Sequence, residues 1–271
     1  MRRGPRFIFT LTIACLLAGC SHRPQPPPFA PATTGRPSQA PPPTAGVPRG
    51  GIEVRLCRVC VQRAAQVGVG LRDVVRITIS RVRGLLSLPP TVVAVRADAA
   101  ATIPELGVGG FTDTVTGHVT ISIDPDTHDL ARSLRTWLPL TLAHELDHVE
   151  RILDGPGYGQ TLLATMVSEG LADAFAGQAF PAAPAIPWDH ALSGDQERAV
   201  WAFARSRLAH RQNSGRHSLW FYGTGRIPRW AGYTIGFDIV HSYLRSHPGA
   251  TAASIVRLPA RRILRESTFR P

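Results

Sequence analysis

Five residues, His144-Glu145-Leu146-Asp147-His148, constrain this chain more than any other feature, because they only make sense together on a helix. At 3.6 residues per turn, side chains four apart lie one above the other, so His144 and His148 can direct imidazole nitrogens at a single ion. Glu145 is rotated about 100° from His144. It can lean toward a water held by that ion without being a ligand itself, which is where a general base must stand. The H-E-x-x-H pattern is that of zinc-dependent hydrolysis, so the chain must build a buried helix with a polar stripe and an open approach to it.

A second stretch supplies what two histidines lack. Gln160–Phe180 reads QTLLATMVSEGLADAFAGQAF, helical in composition, and places Glu169 21 positions after His148. That interval leaves room for the first helix to end, for the glycine-rich turn Asp154-Gly155-Pro156-Gly157, and for a second helix to return antiparallel. Glu169 would then reach the metal. Two His and one Glu with an open fourth position form a catalytic rather than a structural zinc set, since structural sites are closed, usually by thiolates. Asp173, four residues on, shares the Glu169 face and can accept the free ring N–H of a ligating histidine, His144 being the better placed.

The pairing of HELDH with SEGLADAFA, followed near the C-terminus by GYTIGFDIVHSYL, resembles the bacterial family of predicted zinc-dependent proteases of the YjaZ type. Such proteins are similar to gluzincins, in which the third zinc ligand is a Glu on the helix after H-E-x-x-H. The resemblance extends from about Leu85 to the C-terminus. It implies a zinc metallopeptidase of gluzincin-like α+β fold: a small, mostly antiparallel sheet packed against the motif helix, and a C-terminal helical part. It further implies a Tyr or His opposite the metal that stabilises the oxyanion. Tyr233 is the first candidate and His241, two turns along the same segment, the competitor. In the family the middle of the motif is often aromatic then His; here Leu146 and Asp147 stand there, positions that the chemistry does not require.

The N-terminus reads as a targeting segment. Arg2, Arg3 and Arg6 precede the apolar run Phe7–Leu17, and Leu17-Ala18-Gly19-Cys20 has the form of a lipobox, as in bacterial lipoproteins. Residues 1–19 are expected to be a lipoprotein signal peptide and Cys20 the lipidated residue, anchoring the protein on the extracytoplasmic face of a bacterial membrane. Ser21–Gly50 contains ten prolines. Such a segment favours extended conformations and cannot bury a core, so residues 20–50 read as a tether. Residues 51–271 then form one zinc metallopeptidase-like domain. The net charge of +11 comes with thirty basic residues that are all Arg. They are scattered without an interleaved aromatic stripe, which argues against a nucleic-acid partner. Cys57 and Cys60 remain after Cys15 and Cys20 are assigned. They could close as a disulfide, be redox-active or contribute to a metal site; a small disulfide or two unpaired thiols is the simpler reading.

Periodicity predicts helices over Arg58–Gln66 and Leu71–Leu86, a strand over Val92–Arg96, and a hairpin from Phe111–Val115 and His118–Ile123. It predicts further helices over Thr136–Leu153, with Thr136 as cap and Pro139 in the first turn, over Gly194–His210 behind a Ser193/Gln196 capping box, and over Ala231–Ser246. His210 and His217 read as solvated. The expected function is hydrolysis of peptide bonds in a peptide or protein substrate, with Zn2+ on His144, His148 and Glu169 and with Glu145 as base. A zinc amidase or hydrolase of cell-wall material and a non-catalytic binding or chaperone-like lipoprotein are the alternatives, separable by casein against peptidoglycan and by zinc content without turnover. Gly109-Gly110-Phe111 is the expected sheet edge for an extended substrate.

Overall fold

A computed structural model describes residues 51–223 and 225–271. The expected signal peptide, Cys20 and the expected tether lie outside the described residues. The fold is α+β with one four-stranded sheet. Strand β1 (Ile52–Leu56) leads into helix α1 (Arg58–Gln66) and helix α2 (Leu71–Arg83), and the chain returns as β2 (Thr91–Ala97). The hairpin β3 (Val108–Thr112) and β4 (Val119–Ile123) follows, turned by Asp113, whose Oδ1 accepts from the amides of Val115 and Thr116.

The sheet order is β1-β2-β4-β3, with β1/β2 and β2/β4 parallel and only β3/β4 antiparallel. The expected mostly antiparallel sheet is therefore corrected to a mixed one with two parallel pairs. One parallel pair comes from β1, a strand not anticipated from the sequence, joined to β2 by the α1–α2 crossover that parallel neighbours need, and the other from β4 pairing parallel with β2. The hairpin is present, but β3 begins three residues earlier than expected, at Val108.

One short helix, α3 (Leu130–Arg132), and a wide π-type turn over Ser133–Trp137 lead into α4 (Leu138–Leu153), the motif helix. Thr136 falls inside the wide turn and does not cap the helix; Pro139 sits in the first turn, where a missing N–H costs nothing. Buried Leu138, Leu142, Leu146 and Val149 recur at helical spacing along α4. Helix α5 (Leu162–Ala179) opens on Thr161, whose hydroxyl accepts from the Ala164 amide. Helix α6 (Gly194–Ala204) has the Ser193/Gln196 capping box and stops six residues short of His210. Helices α7 (Ser214–Ser218), α8 (Ala231–Ser246), α9 (Ala252–Ile255) and α10 (Ala260–Glu266) complete the helical part.

Two glycines let α8 approach α5. A Cβ on Gly236 would lie 1.9 Å from the Met166 carbonyl oxygen, and one on Gly170 would lie 2.2 Å from the Gly236 carbonyl carbon. The glycines of SEGLADAFA and GYTIGFDIV are thus packing positions, and they bring the N-terminal turn of α8, with Tyr233, toward Glu169. Arg151 is fully buried and joins three segments: its Nε donates to Ser168 Oγ at 2.8 Å, and its Nη1 to the carbonyls of Val256 and Leu258 at 2.5 and 3.1 Å. Burial lowers its pKa to about 10, still well above neutral pH.

Candidate metal centre

Helices α4 and α5 bring His144, His148 and Glu169 together, all three buried. Their ligand atoms lie within 4.8 Å of one another. Glu169 Oε2 stands 3.2 Å from His144 Nε2 and 3.7 Å from His148 Nε2. Ligands at about 2.0–2.2 Å from a tetrahedral zinc are separated by roughly this much. Burial alone would raise the Glu169 carboxyl, but the two imidazoles hold it well below the usual carboxylate range. A buried carboxylate facing two imidazole nitrogens fits a divalent cation.

The two imidazoles are supported differently. His144 Nδ1 lies 2.8 Å from Asp173 Oδ1, which turns Nε2 toward the site. Asp173 is in turn held by Trp188, whose Nε1–H donates to Oδ2 at 2.9 Å, and Thr234 Oγ1 fixes the Trp188 carbonyl at 2.7 Å. His148 Nδ1 is buried without a hydrogen-bond partner among the described residues. The edge of its ring meets Tyr158 at a centroid distance of 5.2 Å.

Glu145 is buried on the sheet side of α4. Thr112 Oγ1 lies 2.6 Å from its Oε2 and 3.0 Å from its backbone carbonyl. Burial raises the Glu145 carboxyl above its ordinary range, while the charges of His144 and His148 and the Thr112 hydroxyl pull it back. Gly110 on β3 lies directly against it: a Cβ there would sit 2.4 Å from Glu145 Oε1. The adjoining Asp147 has both carboxylate oxygens buried without a hydrogen-bond partner among the described residues, and burial pushes it up to about 6.

Several neighbours of Glu169 escaped the sequence reading. The Tyr158 hydroxyl, in the α4–α5 loop, donates to Glu169 Oε1. Burial and the Glu169 charge together raise the phenols of Tyr158, Tyr222 and Tyr233, so all three stay protonated at neutral pH and can donate. His217 is not freely solvated: it stacks on Phe221 at 4.4 Å, and burial lowers its pKa. Tyr233 packs on Trp188 and Phe221 at 5.6 and 4.9 Å. His241 lies elsewhere, against Phe237 on the wall of a cavity of about 400 Å³ behind Asp173. The aromatic positions gave no signal beyond ordinary core periodicity; only the glycine-rich turn beside Tyr158 pointed to a constrained loop.

Cys57 and Cys60 form a disulfide. Among the described residues no helix is long and apolar enough to cross a membrane.

Comparison with known proteins agrees with this geometry. The chain is 29% identical over 129 residues to the "Uncharacterized protein YjaZ" of Bacillus subtilis, a match covering 45% of this chain and 48% of that protein. The match thus spans about half the length of the curated relative. No solved structure matches. Residues 72–265 match the family model described as "Predicted Zn-dependent protease (DUF2268)", a span that includes every residue of the metal centre. The chain therefore belongs to this family of predicted Zn-dependent proteases, with His144, His148 and Glu169 as its possible zinc site.

Proposed function

We propose that this protein is a zinc metallopeptidase that hydrolyses peptide bonds outside the cytoplasm while held to a membrane through a lipid on Cys20. The observation that carries the reading is the convergence of three buried ligand atoms with a buried, non-ligating Glu145 on the adjoining helix face. A zinc ion on His144, His148 and Glu169 would polarise the scissile carbonyl and acidify a water. Glu145 takes the proton from the attacking water and passes it to the leaving amine, and its raised pKa suits both steps. Thr112 fixes the carboxylate that moves this proton. Tyr233 is the hydroxyl donor for the developing oxyanion, since the one proton of the Tyr158 hydroxyl is given to Glu169 Oε1.

Substrate would lie along β3, an edge strand of the sheet. The amide of Asp124 bonds Gly107 O at 3.0 Å and that of Asp113 bonds His118 O at 2.9 Å, so the intervening odd-numbered residues face β4. The amide and carbonyl of Gly110 consequently point away from β4, on the side where Ile103 bridges Val108 two residues earlier, and there an extended peptide can pair with them beside Glu145. The lipobox supports the anchored location, and the Cys57–Cys60 disulfide supports an oxidising compartment.

The test is metal analysis of the purified protein combined with a proteomic cleavage screen. One zinc per chain and peptide cleavage that vanishes on chelation and returns with zinc are expected. Stoichiometric zinc with no peptide cleavage, or release of cell-wall fragments in place of peptides, would reject the peptidase reading.

A further inference from the structure

The disulfide lies outside the residues that match the family and outside the metal centre, yet its setting is asymmetric. Cys57 follows the end of β1 directly and is the N-cap of the nine-residue α1, with its amide bonded to Val95 O at 3.0 Å. Its Sγ accepts from the Cys60 amide at 2.9 Å. Cys57 is half-buried, whereas Cys60 is 2% exposed and packs in the core. The first turn of α1 contains no acid and begins with Arg58. A sulfur at a helix N-terminus that already accepts a backbone N–H is favoured as the thiolate. The exposed surface of α1 beside it is mixed, with Val59 and Val61 set among Arg58 and Gln62.

We propose that Cys57–Cys60 is a thiol–disulfide exchange site that accepts two electrons from an external dithiol, with Cys57 as the sulfur attacked. The donor's thiolate attacks Cys57 Sγ, a donor–Cys57 disulfide forms, and the Cys57–Cys60 bond breaks with its electron pair leaving on Cys60, which takes a proton. The donor's second thiol then attacks its own sulfur in the mixed disulfide. Its intramolecular disulfide forms and Cys57 leaves as a thiolate held by the α1 terminus. The protein gains two electrons and, with Cys57 left as the thiolate, one proton on Cys60; the donor's other proton goes to solvent, and the donor is oxidised from dithiol to disulfide. Burial decides the direction of attack, because Cys60 cannot be reached from solvent.

The test uses the intact protein with dithiothreitol as donor and an aromatic disulfide as probe. The native, zinc-loaded protein should be reduced by dithiothreitol without denaturant and without loss of zinc. In Cys60→Ser the remaining Cys57 should react with the aromatic disulfide about 10²-fold faster than Cys60 does in Cys57→Ser, as exposure and thiolate character require. A disulfide that resists dithiothreitol until the protein unfolds would overturn the proposal, and that result needs no variant. Equal or reversed reactivity of the two single variants would overturn the assignment of Cys57.

Discussion

The sheet side and the helical side of the metal centre hold their residues by different means. On the sheet side, Glu145 is fixed by one hydroxyl, Thr112, and by the absence of a side chain at Gly110. On the helical side, His144 is fixed by a relay of three bonds, His144 to Asp173 to Trp188 to Thr234, that crosses from α5 to α8. The difference separates two tasks. In the proposed mechanism a base must keep some freedom to move a proton, so a single light restraint suits Glu145, whereas His144 is held in orientation by buried groups that are themselves bonded. Changes on the sheet side should therefore alter turnover and leave zinc in place, and changes on the helical side should alter zinc affinity first.

The largest effect expected is from Glu145→Gln, which keeps shape and removes the basic carboxylate. Hydrolysis should fall by about 10²-fold or more with zinc stoichiometry unchanged; loss of zinc in this variant would erase the division of tasks. Nearly as large is Gly110→Ala. The added carbon would meet Glu145 Oε1 at 2.4 Å and displace it, and a misplacement on the order of 1 Å costs about 10²-fold in turnover. Equilibrium dialysis against zinc should still match the parent.

On the other side, Asp173→Ala frees the His144 ring and should weaken zinc binding by roughly 10–100-fold, with activity recovering in excess zinc. An unchanged zinc affinity would mean that the relay orients nothing. The smallest effect is expected from Thr112→Val, about three- to tenfold in turnover, the net value of one ordinary hydrogen bond. Its pH profile is the sharper reading. The base acts deprotonated, so activity falls as pH drops through the Glu145 pKa, which burial already raises. The Thr112 hydroxyl opposes that rise. Removing it should move the acid limb to higher pH, and a limb that stays in place or moves down would show that Thr112 does not set the base.

The helices α1, α2, α5 and α8 follow the apolar spacing of the chain to within a few residues, because an α-helix is written in contacts three and four residues apart. His144, His148 and Asp173 share that legibility, each placed by a helical repeat from a partner already known. Glu169 needed one tertiary assumption, that the second helix packs on the first, and the glycine-rich turn supplied it. The sheet was less legible. Ile52–Leu56 carries two charged residues in five and pairs with residues about forty positions away, so no local pattern marks it as the strand that makes the sheet mostly parallel.

The sequence by itself determined the chemistry that the centre can carry, since a metal set on two helices depends on residue type and helical period, both local. Only the tertiary structure decided what surrounds it. Thr112, Gly110, Tyr158 and Trp188 reach the centre from a strand, a loop and a connection that lie between ten and thirty-five positions from the residues they touch. Their positions depend on which strand pairs with which and on two glycines that let α8 close on α5. Contacts of that kind form only when distant segments pack together, and hydrophobic burial, which drives the packing, is non-directional and leaves no periodic trace of its partner in the chain.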